Sequence, residues 1–329
     1  MGGRFTARDR VYLHKKMNKQ MRKIKYIFRV LLLFFFWGNA QQESSFSHYM
    51  YNHQAVNPGY VGSRGVTNFT SVLRSQWSGI EGAPLTQTLS YSGPVSAKNV
   101  GFGLSVLNDK IGPVGTTSFA IDLAYHLRLN RNDHRLAVGL KAGALNFSLN
   151  PDMINPLNPN DRAFQLDQEQ ALLPNIGFGF YYYTQRFYAG LAVPQMLAHV
   201  EYAIEKHFYF ITGGLMNLTQ NFMLKPSLLL KQTKSVAGYD FTLLGIFNET
   251  FWIGGQLRNN FNSDTFRSFS GTGTSGLLGI NLGNFSLGYS YGFPSSVINN
   301  GLNATTHEVF LRLDLTPKTQ GFLRSPRFF

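Results

Sequence analysis

Apolar and polar positions alternate along this chain with a period of two, most cleanly from Thr117 to Leu129, T-S-F-A-I-D-L-A-Y-H-L-R-L. Phe119, Ile121, Leu123, Tyr125, Leu127 and Leu129 make up one set, and Ser118, Ala120, Asp122, Ala124, His126 and Arg128 the other. Successive side chains of a strand point to opposite faces, so one face here is wholly apolar and the other small or charged. The run exceeds the five or six residues usual for a soluble strand. It meets the roughly 9–11 residues that cross a hydrocarbon layer at a tilt. The apolar face is read as facing lipid and the charged face as facing a lumen. For this segment alone, a sandwich strand with one solvated face is the competing reading.

Repetition decides between them. From Val66 onward fourteen strand-like segments follow: 66–77, 85–94, 99–107, 116–129, 135–147, 174–184, 186–194, 206–216, 221–232, 236–247, 250–259, 274–282, 285–293 and 305–315. In the fifth, Leu136, Val138, Leu140 and Ala142 oppose Ala137, Gly139, Lys141 and Gly143. In the ninth, Phe222, Leu224, Pro226, Leu228 and Leu230 oppose Met223, Lys225, Ser227, Leu229 and Lys231. In the last, Val309, Leu311, Leu313 and Leu315 oppose Glu308, Phe310, Arg312 and Asp314. Proline cannot donate to a ladder, so a bulge or a strand end is expected at Pro226. Thr274 to Leu282 alternates poorly. Connections after even-numbered segments are short, whereas Ser148–Leu173, Pro194–Glu205, Asn260–Gly273 and Pro294–Ala304, after odd ones, are long; the short connection after the ninth segment is an exception. Short periplasmic turns and longer outer loops on an even number of strands are the pattern of an outer-membrane barrel. The expected fold is an all-β, antiparallel transmembrane barrel of about 14 strands over residues 66–315, with a periplasmic N-terminal segment at 41–65 and a periplasmic C-terminal tail at 316–329. The aromatic cluster Phe46, Tyr49, Tyr51 and Tyr60 in the N-terminal segment is expected to pack against or into the barrel mouth.

The formal charge of +13 would suggest a nucleic-acid partner if it were spread over the chain. It is not: ten of the 30 basic residues and one of the 17 acidic residues fall in residues 1–40. There, basic Met17–Lys25, apolar Val30–Trp37 and small-x-small Gly38-Asn39-Ala40 describe a secretory signal peptide that ends at residue 40. The apolar run is shorter than the roughly 20 residues of a spanning helix. The residues before Met17 read as an extended start, with Met17 or Met21 as alternative first residues. An exported chain with lipid-type strands is expected in an outer membrane, because only helices and closed barrels satisfy their backbone inside lipid. The sparse charge (14%) and abundant aromatics (15%) argue against disorder and for strands.

No catalytic constellation emerges. Cysteine is absent, which removes thiolate nucleophiles, thiolate metal sites and disulfides. There is no G-x-S-x-G elbow, H-E-x-x-H helix or phosphate loop. Gly271-Thr272-Gly273-Thr274-Ser275-Gly276 is followed by no helix and is read as a flexible loop. His126 has no second histidine on its face at ligand spacing, and Asn108–Pro113 lacks the spaced carboxylates of a calcium loop. No cofactor and no metal are expected. The charges assigned to the lumen face are Arg74, Asp122, His126, Arg128, Lys141, Lys225, Lys231, Asp240, Arg258, Glu308, Arg312 and Asp314. Charges of both signs there either brace the barrel as ion pairs or tune the lumen for a bound polypeptide. Trp77, Glu81 and Pro84 in the first hairpin, with Asn108 and Asp109 in the next, are candidates for partner docking. Their alternative is a plain turn whose glycines supply positive φ.

Arg74 to Pro94, R-S-Q-W-S-G-I-E-G-A-P-L-T-Q-T-L-S-Y-S-G-P, resembles the first hairpin of the PorP/SprF family, outer-membrane proteins of type IX secretion and gliding motility in Bacteroidota. Asn57-Pro58-Gly59-Tyr60-Val61-Gly62 is similar to that family's N-P-A-Y-A-G motif, with Gly59 in place of alanine. Gly101–Gly112, Pro174–Pro194, His307-Glu308-Val309 and the closing Ser325-Pro326-Arg327-Phe328-Phe329 resemble further family stretches. Gly292 departs from it, since many members carry an aspartate there. The resemblance implies a non-enzymatic secretion component that binds or anchors a secreted adhesin through its C-terminal domain and meets periplasmic components of the same system. A porin-like channel for small solutes is the rival function. The Phe328-Phe329 end is read as a tail docking at the periplasmic rim, with an assembly signal as the alternative.

Overall fold

A computed structural model of the chain describes residues 46–95, 99–130, 133–150, 170–202, 204–234, 236–262, 268–293 and 305–315. Fifteen strand segments run in order: β1 (Thr67–Ser78), β2 (Leu85–Pro94), β3 (Val100–Ile111), β4 (Val114–Arg128), β5 (Arg135–Leu149), β6 (Gln170–Tyr183), β7 (Phe187–Gln195), β8 (His207–Gly214), β9 (Met216–Asn217), β10 (Phe222–Gln232), β11 (Val236–Phe247), β12 (Phe251–Asn262), β13 (Ser268–Leu282), β14 (Phe285–Gly292) and β15 (Thr305–Leu315). β8 and β9 lie end to end against β10 and form one stave, so the segments make a wall of fourteen staves. Every neighbouring pair is antiparallel, and β1 pairs with β15 to close the ring. Closure leaves no strand edge to lipid, which is the condition for a sheet to span a bilayer.

The two-residue rhythm sorts the wall as the sequence predicts. On β4, Phe119, Ile121, Leu123 and Tyr125 are 50–53% exposed on the outside, while Asp122, Ala124 and His126 are at most 5% exposed inside. The expected alternation on β10 and β15 holds as well: Met223, Lys225, Ser227 and Leu229 turn inward, as do Glu308, Phe310 and Arg312. Tight hairpins join the staves at one rim. Asn248 and Glu249 both take positive φ (48° and 57°), which matches the right-handed twist of the flanking strands.

Three local expectations are corrected. Pro226 neither ends nor bulges β10, which stays in register with β11 from Phe222 to Gln232. The break falls on its other neighbour, where β8 stops at Gly214 and pairing resumes at Met216. The missing N–H therefore interrupts the partner's ladder. The Gly271–Gly276 stretch is not a loop: it lies within β13, and Gly273 to Gly276 pair with Arg258 to Gly255 of β12. β12 along Gly273 to Gly276, and β14 from Ser275 onward, hold residues that local propensity would leave irregular. The irregularity is absorbed as register shifts around Asn260. β12 and β13 thereby extend into the supposed Asn260–Gly273 loop and reduce the connection to 263–267. The strand ends that flank 150–169, 196–206 and 293–304 lie on one rim, which also carries the tight Gly112-Pro113 turn.

Residues 46–66 lie inside the ring. They hold one helical turn, α1 (His53–Val56), and a short 3-10 turn at Pro58–Tyr60, and belong to no ladder of the wall. Thr67 faces Leu315 at the short-turn rim, so the segment joins the wall there. From that rim it climbs the lumen. Its first residues reach the level of the Arg74–Glu308 pair, seven residues up β1 and roughly 23 Å along the strand.

Candidate functional site

The segment fills the lumen with side chains that are almost all buried: Phe46, Tyr49, Met50, Tyr51, Val56, Tyr60 and Val61 are at most 7% exposed. The charges that the sequence placed on the lumen face are the groups that hold it. Glu308, fully buried on β15, accepts the backbone N–H groups of Ser47 and His48 at 2.7 Å each. It also accepts His48 Nδ1 at 2.7 Å and Arg74 Nη1 at 3.0 Å. Four donors on one carboxylate offset the cost of taking it out of water. Asp240 on β11 takes Arg258 Nε at 2.7 Å and Lys231 Nζ at 3.3 Å, and Arg258 donates onward to the Phe46 carbonyl at 3.2 Å. Lys225 donates to the Met50 carbonyl at 3.2 Å and lies 3.9 Å from the centre of the Tyr51 ring, so carbonyl and π-face share the cation. Gln256 Nε2 donates to Ser47 O at 3.4 Å.

Lower in the lumen the contacts are mostly neutral. His126 bonds the Val61 carbonyl through Nε2 at 2.9 Å and meets the Tyr183 hydroxyl through Nδ1 at 2.9 Å. These partners assign the proton to Nε2. Asp122 pairs with Lys141 at 2.9 Å and accepts Gln54 Nε2 at 3.0 Å. Asn57 spans two roles: its Nδ2 donates to Phe180 O at 3.0 Å, and its Oδ1 accepts Gly59 N–H at 2.8 Å to cap the 3-10 turn. Wall glycines make the room. A Cβ on Gly139 would strike the Pro58–Gly59 peptide, and one on Gly101 would strike the Val61 carbonyl. At the exit, Arg64 pairs with Asp314 at 2.7 Å, and Gly62 and Gly65 (φ +79° and +69°) turn the chain into β1.

Between these levels sits an aromatic layer. His48 and Tyr51 stack on Phe310 at 5.4 and 5.1 Å, with Trp252 closing the edge at 5.8 and 5.3 Å. His53 is enclosed by Tyr60, Tyr181 and Tyr188 at 4.5–5.8 Å, and its Nδ1 lies 2.9 Å from the Tyr181 hydroxyl. Burial, reinforced by the nearby Lys225 cation, drives the His53 pKa well below its ordinary value, so the ring is neutral at pH 7.

Of the twelve charges assigned to the lumen face, Arg128 alone is mostly exposed, at the short-turn rim beside Asp133. Among the rest, Arg74, Asp122, His126, Lys225, Arg258 and Glu308 touch the segment directly, Lys231 and Lys141 brace Asp240 and Asp122, and Arg312 and Asp314 meet near Arg64. The docking candidates lie at the opposite rim. Trp77 takes φ +55° at the end of β1, Glu81 is exposed, and Pro84 is buried. Asn108 and Asp109 are strand residues, bonded to Thr117 and Thr86. The Gly82 carbonyl accepts the Gly112 N–H at 2.8 Å, which joins the first two hairpins of that rim. Among the described residues no three His, Asp or Glu side chains converge as metal ligands.

Sequence reasoning missed the segment's own recognition groups, His48, His53, Gln54, Asn57 and Arg64, and the inward aromatics Tyr181, Tyr183, Tyr188, Trp252 and Phe310. One signal was present. Phe178 to Tyr183 is aromatic on both faces. A strand apolar on both faces is covered on both, and a barrel strand can be covered inside only by filling the lumen.

A family model described as "Type IX secretion system membrane protein PorP/SprF" matches residues 38–313. The chain belongs to this family. No curated protein matches it. Solved barrels of similar shape include the Acinetobacter baumannii outer membrane protein Omp33, with 7% identity, TM-score 0.47, and coverage of 76% of this chain and 98% of that one. The KdgM porin matches with 9% identity, TM-score 0.35, and coverage of 76% and 99%. A Rh. blastica porin variant matches with 6% identity, TM-score 0.32, and the same coverage. The architecture of this PorP/SprF protein rests on its own strand pairing. It is an outer-membrane β-barrel of the type IX secretion system. The signal-peptide reading and the 316–329 tail lie outside the described residues.

Proposed function

We propose that this PorP/SprF barrel is a closed, non-enzymatic binding component that holds or anchors a secreted cell-surface protein, and not a channel for small solutes. The observation that carries the reading is the filled lumen: residues 46–66 occupy the space through which solutes would pass, tied to the wall from Glu308 to His126. A barrel so filled serves through its surfaces. The rim that carries Trp77, Glu81, Pro84, Asn108 and Asp109 is the face offered to a secreted adhesin or its C-terminal domain. The short-turn rim faces the periplasmic components of the system.

Two measurements test this. The full-length protein in planar bilayers is expected to show no steady conductance; a stable open conductance without any partner replaces the binding reading with the porin one. Tagged protein drawn from its native membrane is expected to bring a large surface adhesin or a periplasmic component of the secretion machinery. Recovery of lipid alone overturns the anchoring role.

A further inference from the structure

The contacts between the lumen wall and residues 46–66 have the character of ligand recognition. The ring closes through the β1–β15 ladder, and no stave takes part in a ladder with the segment. The wall addresses the segment through its main chain. Glu308 takes two consecutive N–H groups, while Arg258, Gln256, Lys225 and His126 reach the carbonyls of Phe46, Ser47, Met50 and Val61. The segment answers in kind: Tyr49 donates its hydroxyl to the Ser227 and Asp240 carbonyls, and Asn57 its amide to the Phe180 carbonyl. Its remaining backbone groups are largely closed internally by turns, such as Tyr51 N–H to His48 O and Asn57 N–H to His53 O. None of these bonds depends on the covalent link at Gly65–Val66.

We propose that the inner wall is a receptor for a turn-forming peptide with aromatic anchors, and that the protein's own residues 46–66 fill it in cis. Specificity comes from two features. The Tyr51 ring must sit between Phe310, Trp252 and the Lys225 cation. The Pro58–Gly59 peptide must lie flat on Gly139, where no side chain fits. The inference concerns the lumen and stands apart from the identity of any secreted partner.

The test keeps the full chain. A protease-recognition insert is placed between Gly65 and Val66; Gly65 borders open space, so the insert has room. The protein is folded, cut, and offered a fluorescent peptide of residues 46–65. Barrel integrity is followed by heat-modifiable gel migration. The labelled peptide is expected to exchange in saturably, with displacement by unlabelled peptide and none by a scrambled one. Glu308→Gln in the cut protein is expected to weaken binding at least tenfold, and Gly139→Val to weaken it by about 5- to 150-fold. Leu140→Ala, on the lipid face next door, is expected to leave binding unchanged. A barrel that stays folded yet takes up no peptide, or takes up the scrambled peptide equally, overturns the proposal. So does a Gly139→Val barrel that binds like the parent.

Discussion

The two ends of the lumen segment are held by different physics. Phe46 to Met50, far from the chain's link to β1, rests on charge: Glu308 with Arg74, Arg258 with Asp240, and Lys225. Asn57 to Gly62, nearer that link, rests on shape and neutral hydrogen bonds, with its backbone pressed onto Gly101 and Gly139 and capped by His126, before the Arg64–Asp314 pair at the exit. Charge recognition at short range is strong but fragile, because removing one partner strands the other in a dry interior. Shape recognition needs no partner balance, but it tolerates no added atom. The far end is therefore sensitive to losing a group and the near end to gaining one.

The sharpest way to break this contrast is Glu308→Ala. It strands Arg74 and two backbone N–H groups, and seating of the segment is expected to weaken by about 3–5 kcal/mol. The measurement is conductance in planar bilayers, which the variant is expected to show and the parent not. If Glu308→Ala stays closed, charge does not hold the far end. Next comes Gly139→Val, which pushes side-chain atoms into the Pro58–Gly59 peptide. Overpacking of this kind costs about 1–3 kcal/mol, read as a lowered thermal midpoint of the detergent-solubilised barrel. An unchanged midpoint would mean that the near end has slack.

Acidification probes the join between the two ends. His53 is held neutral in the fold, below its free value near 6.5. Its contribution to seating is complete above about pH 6.5 and is lost as pH falls below it, because the unbound segment takes up the proton first. The loss amounts to at most about 1.4 kcal/mol per pH unit. Comparing the thermal midpoint of parent and His53→Gln between pH 7.5 and 5 isolates this slope from other groups, and equal slopes would remove His53 from the account. The smallest effect is expected for Leu140→Ala, where a lipid-facing side chain only exchanges one hydrocarbon neighbour for another. Its stability, read from the same thermal midpoint, should stay within about 0.5 kcal/mol of the parent's.

Much of the wall was legible because its code is local. Alternation is a property of neighbouring residues, so Thr117–Leu129 announced both its outer and its inner face. Where the code weakened, tertiary pairing supplied the answer. Gly271–Gly276 has no alternation and low strand propensity, yet it lies in a strand because β12 pairs with Gly273 to Gly276 and β14 joins from Ser275 onward. The candidate site was legible in part. The charged residues could be assigned to the inner face one by one, and the aromatic cluster from Phe46 to Tyr60 could be seen to seek cover. Their meeting could not be read, because Ser47 and Glu308 are 261 residues apart.

The amino-acid sequence by itself determined the number of staves, the faces of the strands that alternate cleanly and the family to which the chain belongs, since each follows from short-range pattern or motif. Only the tertiary structure decided that residues 46–66 fill the lumen, because that depends on which distant groups come to share one buried space. A buried carboxylate such as Glu308 is stable only where its four donors converge, and the closed ring of strands is what brings them together.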